Sequence, residues 1–305
     1  MSFIQTRPDI SGSSVKLFYE EFGSGKPVVL IHGWPLNHEM WEYQLNELPK
    51  HNLRCIAYDR RGFGKSDRPY QKYDYDTLAD DLKELLDQLD LKGVTLVGFS
   101  MGGGEIARYI AKYGTNRVEK VLLISAVTPY MLKANDNPDG VDKAVFDDMI
   151  QKLSQDRPTF LAAFGKQFYG VSMLSHPVSE QLLNWNQAAC LMSSPKATMD
   201  CVRSFSETDF RNDVVKIDVP TLIIHGNADK TVPINVSGDK TAALLPNATY
   251  IVYENAPHGL FITEMDRLNN DLINFISGAP VNADVSNATY SETPIFSPGV
   301  WAGQL

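Results

Sequence analysis

Short apolar runs alternate with helical hydrophobic patterns along most of this chain. The predicted strands cover residues 15–22, 28–31, 54–58, 94–97, 121–124, 220–224 and 249–252. Several of these runs are wholly apolar, which is typical of strands in a parallel sheet that is covered on both faces. The alternation therefore predicts an α/β fold with a mostly parallel central sheet and helices on both faces.

The helices are predicted from apolar residues that recur every three or four positions. One helix follows a Thr77–Asp80 capping box and carries leucines up to Leu89. Another begins after Ser100 and ends near Gly114, a residue type that often caps helix C-termini. Further helices are predicted over residues 41–48, 234–245 and 265–276.

The alternation stops between about Pro129 and Lys216, where the pattern is helical and rich in aromatic residues and methionine. This block predicts a helical cap inserted into an α/β core. The predicted boundaries are a first core part at 1–128, the cap at 129–216, a second core part at 217–277 and a tail at 278–305. The aromatic residues of the cap either line a substrate pocket or fill the cap's own core.

The tail, residues 278–305, contains three prolines, no lysine or arginine and no periodic pattern. It is predicted to be disordered. The alternative is that its apolar residues dock on a surface or a partner.

Composition narrows the class of protein. A chain of 305 residues with 43% hydrophobic residues can bury a large core, and a formal charge of −9 argues against nucleic-acid binding. The apolar runs are too short to span a membrane, and the first nine residues lack the apolar region of a signal peptide. The three cysteines form no C-x-x-C motif, and no metal-ligand cluster is evident. These features predict a cytoplasmic protein with no metal or cofactor, and no nucleic-acid or membrane partner.

The candidate chemistry centres on Gly98-Phe99-Ser100-Met101-Gly102, which fits the G-x-S-x-G pattern of a nucleophilic serine. The pattern has meaning only between a strand and a helix, and both are predicted here. Glycines two residues on either side relieve crowding in such a strained turn. A purely structural glycine-rich turn is the alternative interpretation.

A nucleophilic serine needs a base and a carboxylate that orients the base. His258 follows the last predicted strand and Asp229 follows the strand before it, so both lie at strand ends, where sites gather in open α/β sheets. The predicted triad is Ser100, Asp229 and His258. The other histidines divide into surface candidates and residues with a structural role beneath loops: His38, His51 and His176 in the first group, His32 and His225 in the second.

The oxyanion of an acyl-transfer intermediate needs two backbone N–H donors near the nucleophile. Met101 supplies one at the N-terminus of the helix after Ser100. Trp34, directly after His32-Gly33 at a neighbouring strand end, is the candidate for the second.

Together these segments resemble the α/β-hydrolase superfamily. The His32–Pro35 loop, the Asp59–Ser66 loop, residues 98–104 and Thr208–Arg211 narrow the likeness to cofactor-free bacterial haloperoxidases, perhydrolases and arylesterases, over residues 10–277. The resemblance implies a Ser–His–Asp triad that hydrolyses small carboxylic esters. It also implies a side reaction in which hydrogen peroxide replaces water and a peracid forms from a short carboxylic acid.

The resemblance also implies site details. Proline after the oxyanion tryptophan accompanies perhydrolase activity, and Pro35 stands there. The implied acyl pocket favours short acyl chains and small apolar alcohols, and its residues are Trp34, Pro35, Val127, Phe164, Phe168 and Val232. Relatives hydrolyse γ-lactams or lactones at the same site, and many form trimers or dimers of trimers, so a homo-oligomer is expected.

The residue type at position 100 distinguishes between other activities known for this fold. Haloalkane dehalogenases and epoxide hydrolases carry aspartate where Ser100 stands, so both are disfavoured. A non-catalytic ligand-binding protein remains an alternative, because fold alone does not determine function.

Overall fold

A mostly parallel eight-stranded sheet forms the centre of the computed structural model, which describes residues 2–8, 12 and 14–281. The strands are β1 (Ser2–Gln5), β2 (Lys16–Phe22), β3 (Lys26–Ile31), β4 (Leu53–Tyr58), β5 (Val94–Phe99), β6 (Val118–Ile124), β7 (Thr221–Gly226) and β8 (Thr249–Tyr253). Their order is β1-β2-β4-β3-β5-β6-β7-β8. The pairs β1/β2 and β2/β4 are antiparallel, and every other pair is parallel. The predicted fold class is confirmed.

The described ranges contain ten α-helices, of which the last two follow β8: α1 (Glu42–Glu47), α2 (Tyr75–Gln88), α3 (Met101–Tyr113), α4 (Lys143–Phe168), α5 (Glu180–Leu191), α6 (Pro195–Glu207), α7 (Arg211–Val214), α8 (Gly238–Leu244), α9 (Leu260–Thr263) and α10 (Met265–Ser277). The predicted helices at 41–48 and 234–245 are shorter than expected. In the first region α1 has a 3-10 turn on either side, and in the second a single 3-10 turn, Ile234–Val236, precedes α8.

The predicted Thr77–Asp80 capping box is wrong. Helix α2 begins earlier, and its N-cap is Asp74, whose carboxylate accepts the backbone N–H of Thr77. Asp80 instead contacts Lys112 and Tyr113 of α3. Its carboxylate is therefore used to join two helices, and a nearer carboxylate caps the first turn.

The central strands are apolar because they are covered completely. Every residue of β5 and of β7 is buried, and α3 packs on β5 and β6 while α8 packs on β7. Strand β1 was not predicted, since Ile4 is the one buried residue among its four and no apolar run marks it. Its pairing with β2 makes it a strand.

The chain leaves the sheet after β6 and forms α4, α5, α6 and α7 before it returns at β7. Helix α4 packs against α5 and α6. It is kinked at Asp156, whose backbone is not helical and whose carboxylate accepts the backbone N–H of Thr159. Asp156 therefore caps the second half of α4, in which Pro158 stands at a first-turn position where its missing N–H costs little.

The predicted division at 129–216 remains a prediction, although these helices lie within it. Of the predicted tail, residues 282–305 lie outside the described residues. Gly278 caps α10 in the left-handed region, with φ of 83°. No helix in the described ranges is long and apolar enough to cross a membrane.

Candidate active site

Ser100 occupies the sharp turn between β5 and α3. Its backbone has φ of 52° and ψ of −116°, a conformation that L residues rarely adopt. The glycines on either side allow the turn: a Cβ on Gly98 would come within 2.6 Å of the Gly102 carbonyl oxygen, and one on Gly102 within 2.6 Å of the Ile31 carbonyl oxygen. The G-x-S-x-G pattern therefore has the strand–turn–helix context that it requires.

The structure brings the three predicted triad residues together. Nε2 of His258 lies 3.0 Å from Oγ of Ser100, and Nδ1 of His258 lies 2.6 Å from Oδ2 of Asp229. Asp229 follows β7 and His258 follows β8, so all three side chains come from the carboxyl ends of parallel strands. All three residues are buried.

The Asp229 carboxylate is held in its charged form. Burial alone would raise its pKa, but the electrostatic interaction with His258 and hydrogen bonds from His225 and His258 outweigh burial and lower the pKa below its ordinary range. A charged carboxylate only accepts hydrogen bonds, so Nδ1 of His258 carries the proton that it donates. Nε2 is then free to accept the hydroxyl proton of Ser100.

Aromatic rings hold the His258 imidazole in place. The rings of Phe99 and Phe168 lie 4.9 Å and 4.8 Å from it, measured between ring centroids. Phe168 was predicted to line the acyl pocket. It is buried against His258, Phe99 and Phe261 instead, and it is not part of the cavity lining.

The two predicted oxyanion donors flank Ser100. Met101 is the first residue of α3, and the loop that carries Trp34 lies against the serine, since a Cβ on Gly33 would come within 3.1 Å of the Ser100 Cβ. Within the described ranges, the backbone N–H groups of Trp34 and Met101 have no protein acceptor. Both are therefore available to an external oxygen atom.

A cavity of about 650 Å³ opens from Ser100 along α4. Four predicted pocket residues line it: Trp34, Val127, Phe164 and Val232. Pro35 is buried outside the lining and is joined to Trp34 by a cis peptide bond.

Sequence reasoning did not assign several lining residues. The apolar ones are Phe146, Met149, Phe160 and Phe205, and the charged ones are Asp148, Lys152, Asp156 and Lys230. Phe160 could have been predicted to line the pocket, because it stands four positions before Phe164 and so lies on the same face of the helix. The charged residues carried no such signal.

The remaining histidines differ in their surroundings. His38 was predicted at the surface, which is wrong: it is buried, and its Nδ1 lies 2.7 Å from Oδ1 of Asp59. Asp59 follows β4, so only the folded sheet brings this partner close. His51 and His176 are exposed, as predicted.

His32 and His225 are fully buried, in agreement with a structural role beneath loops. His225 donates through Nε2 to the Val232 carbonyl oxygen, at 2.9 Å. Across the described part of the chain, no three His, Cys, Asp or Glu side chains are grouped so that they could hold a metal ion.

Comparison with known proteins supports the same fold. A protein-family model described as alpha/beta hydrolase fold matches residues 26–265. The chain is 40% identical to a non-heme chloroperoxidase of Kitasatospora aureofaciens, over 86% of this chain and 96% of that protein. It is also 40% identical to a bifunctional esterase/perhydrolase of Acinetobacter calcoaceticus, over 90% and 99% of the two chains. The crystal structure of a bromoperoxidase from Bacillus anthracis matches with a TM-score of 0.86 and 46% identity, over 90% of this chain and 100% of that one.

Proposed function

The chain belongs to the alpha/beta hydrolase fold family, and on this premise we propose that it hydrolyses small carboxylic esters through an acyl-enzyme formed on Ser100. The observation that carries the proposal is the hydrogen-bonded series from Ser100 Oγ to His258 Nε2, at 3.0 Å, and from His258 Nδ1 to Asp229 Oδ2, at 2.6 Å. This is the arrangement that activates a serine hydroxyl.

In the acylation step, His258 Nε2 takes the hydroxyl proton while Ser100 Oγ attacks the ester carbonyl carbon. The resulting tetrahedral intermediate carries a negative oxygen, which accepts hydrogen bonds from the N–H groups of Trp34 and Met101. When the intermediate collapses, the ester C–O bond breaks and His258 returns its proton to the departing alkoxide. The products are an alcohol and the acyl-enzyme.

Deacylation repeats these steps with water as the nucleophile. His258 takes a proton from water, whose oxygen attacks the acyl carbon, and the proton then returns to Ser100 Oγ as the carboxylic acid leaves. Asp229 stays charged throughout and stabilises the imidazolium that forms twice in each cycle.

Hydrogen peroxide is the proposed alternative nucleophile. Its attack on the acyl-enzyme releases a peracid and regenerates Ser100. The peracid oxidises a halide ion in solution to a hypohalous acid and is itself reduced to the carboxylic acid. A haloperoxidase side activity of this kind is supported by the relatives that carry haloperoxidase and perhydrolase names, and it requires no metal ion.

The volume and lining of the cavity indicate which esters could bind. The resemblance implied short acyl chains and small alcohols, but a volume of about 650 Å³ lies within the range of pockets for drug-sized ligands. Its aromatic lining, which includes Trp34, Phe160, Phe164 and Phe205, favours a bulky apolar or aromatic group on one side of the ester. We therefore extend the proposed substrates to aryl and medium-chain esters. The helices of the proposed cap at 129–216 supply most of this lining.

The test is hydrolysis of p-nitrophenyl acetate, butyrate and octanoate by the wild type, by Ser100→Ala and by Ser154→Ala, a matched change of an exposed serine on α4. We expect Ser100→Ala to lose roughly 10³-fold or more in kcat and Ser154→Ala to keep the wild-type rate.

Bromination of monochlorodimedone with acetate and hydrogen peroxide measures peracid formation. Hydrolysis of dihydrocoumarin and of a γ-lactam tests the alternative cyclic substrates. If no ester or lactone is cleaved, the hydrolase proposal fails, and a ligand-binding role without catalysis replaces it.

A further inference from the structure

A buried ion pair links helix α3, which begins with the proposed donor Met101, to the segment after β4, which is hydrogen-bonded to the loop of the other proposed donor, Trp34. Nε of Arg60 lies 2.9 Å from Oε2 of Glu105, and both side chains are almost completely inaccessible to solvent. Arg60 follows β4, and Glu105 is in α3, five residues after Ser100. Neither residue has a role in the acyl-transfer steps above.

Arg60 holds the start of the oxyanion loop. Its Nη2 donates to the His32 carbonyl oxygen at 2.8 Å, and its backbone N–H donates to His32 Nε2 at 3.0 Å. Since Nε2 accepts a hydrogen bond, the His32 proton is on Nδ1, which donates to the Gly33 carbonyl oxygen at 2.9 Å. Burial and the Arg60 charge lower the pKa of His32, so the imidazole is neutral.

The Gly33 carbonyl and the Trp34 N–H belong to one trans peptide unit, in which the two groups point in opposite directions. A hydrogen bond that fixes the carbonyl therefore fixes the direction of the N–H. The carbonyl has two donors, His32 Nδ1 and the Leu36 N–H at 3.1 Å. Hydrogen bonds to its carbonyl oxygen therefore fix the Gly33–Trp34 peptide and leave the Trp34 N–H on the opposite side.

Glu105 connects Arg60 to the helix that carries the Met101 donor. It lies on the second turn of α3, the helix whose first N–H is that of Met101. The contact between Glu105 and Arg60 therefore ties the segment with the Met101 donor to the segment with the Trp34 donor.

We propose that the Arg60–Glu105 pair positions the Trp34 and Met101 N–H groups relative to each other and to Ser100. This inference rests on the proposed function. Buried ion pairs seldom add net stability, because removing two charges from water costs about as much as their attraction returns. In addition, Oε1 of Glu105 has no hydrogen-bond partner among the described residues, an arrangement that calls for a specific reason. Placement of the two donors supplies that reason.

The experiment compares an apolar replacement of this pair with the same replacement of its neighbour. The double variant R60M/E105L replaces both ionisable side chains by apolar side chains of similar volume. Proteins often tolerate such a replacement of a buried ion pair. The matched control is R61M/D81L, because Arg61 and Asp81 form another buried pair, with Nε–Oδ2 at 2.6 Å, and the side-chain hydrogen bonds of Arg61 within the described ranges go to Asp81 and to the Lys72 carbonyl oxygen. A third variant, R60K, keeps a positive charge beside Glu105 but lacks the Nη2 group that donates to the His32 carbonyl oxygen.

Four quantities are measured for each variant: Tm, kcat and KM for p-nitrophenyl butyrate, and Ki for phenylboronic acid, whose adduct on Ser100 mimics the tetrahedral intermediate. Rates are expressed per active site, counted by complete reaction with a fluorophosphonate. A loss of folded molecules then does not register as a slower turnover.

We expect R60M/E105L and R60K to lose about 10- to 100-fold in kcat per active site, since a small misplacement of catalytic groups costs this much. Their Ki for the boronate should rise in parallel, and the control should keep both values. Wild-type kcat and Ki in a folded R60M/E105L would overturn the inference. If the double variant does not fold, unchanged kcat and Ki in R60K overturn it. Failure of the proposed function is distinct, because the wild type and Ser100→Ala would then be equally inactive.

Discussion

Oδ2 of Asp229 lies 2.6 Å from Nδ1 of His258, while Oδ1 of the same carboxylate accepts the backbone N–H groups of Thr231 and Val232, each at 2.8 Å. The two carboxylate oxygens therefore have different hydrogen-bonding roles. One holds the loop after β7 in shape, and the other sets which nitrogen of His258 carries the proton.

Replacement of Asp229 by asparagine should preserve the loop and abolish most of the activity. The amide oxygen takes the place of Oδ1, so the NH2 group faces His258 and donates to Nδ1. The imidazole proton then moves to Nε2, which no longer accepts from Ser100. We expect kcat/KM for p-nitrophenyl butyrate to fall by about 10⁴, as the same change does in serine proteases. Asp239→Asn, which changes an exposed residue, is the control. A loss below tenfold in the Asp229 variant would contradict the assigned tautomer.

The buried His32 should make the protein less stable in mild acid. Its pKa in the folded chain lies below the ordinary value of 6.5, so below that pH the unfolded chain binds a proton that the folded chain does not. The stabilisation is present above pH 6.5 and is lost as the pH falls, at up to about 1.4 kcal/mol per pH unit. Urea unfolding of the wild type and of His32→Asn between pH 7.5 and 5 measures the difference in slope. Parallel curves for the two proteins would contradict this prediction.

The lining of the cavity by α4 predicts a selective change in acyl-chain length. Met149→Trp adds volume to a half-buried lining residue and should lower kcat/KM for p-nitrophenyl octanoate about tenfold or more relative to acetate. The same substitution at Gln151, an exposed residue of α4 outside the lining, is the control. An equal loss on both esters would indicate damage to the fold, and no loss on octanoate would place its chain elsewhere.

The three cysteines should be inert in the folded protein. All are buried, and burial raises the pKa of each thiol, Cys55, Cys190 and Cys201, to about 12. The reactive thiolate is therefore scarce at neutral pH. We expect no modification by 5,5′-dithiobis(2-nitrobenzoate) at pH 8 and three modified thiols in guanidinium chloride. Rapid labelling of the native protein at any of them would contradict the burial described.

The central sheet and the proximity of Ser100, Asp229 and His258 could be predicted from the sequence for related reasons. Strands such as β5 and β7 are apolar on both faces, so their burial is visible in the chain itself. Ser100, Asp229 and His258 each follow such a strand closely, and parallel strands bring their ends to one edge. Local pattern and tertiary position therefore coincide at these residues.

Contacts between distant segments were not predictable in this way. His38 resembled a surface histidine because its partner, Asp59, is brought to it by the sheet. Likewise, the pairing of Arg60 with Glu105 depends on how α3 packs against the loop after β4. Strand β1 exists because β2 offers it a free edge, and its own four residues carry no apolar run.

The strand order also has a consequence for how the enzyme would lose activity. Strand β8, which precedes His258, is an edge strand that pairs with β7 alone, whereas β5, which precedes Ser100, lies between β3 and β6. Edge elements open at a lower free energy than central ones. Transient fraying of β8 would withdraw the base while the nucleophile stays in place, so inactivation on warming should precede the loss of bulk secondary structure. The durability of the catalyst would then be set by the hydrogen bonds of one short strand.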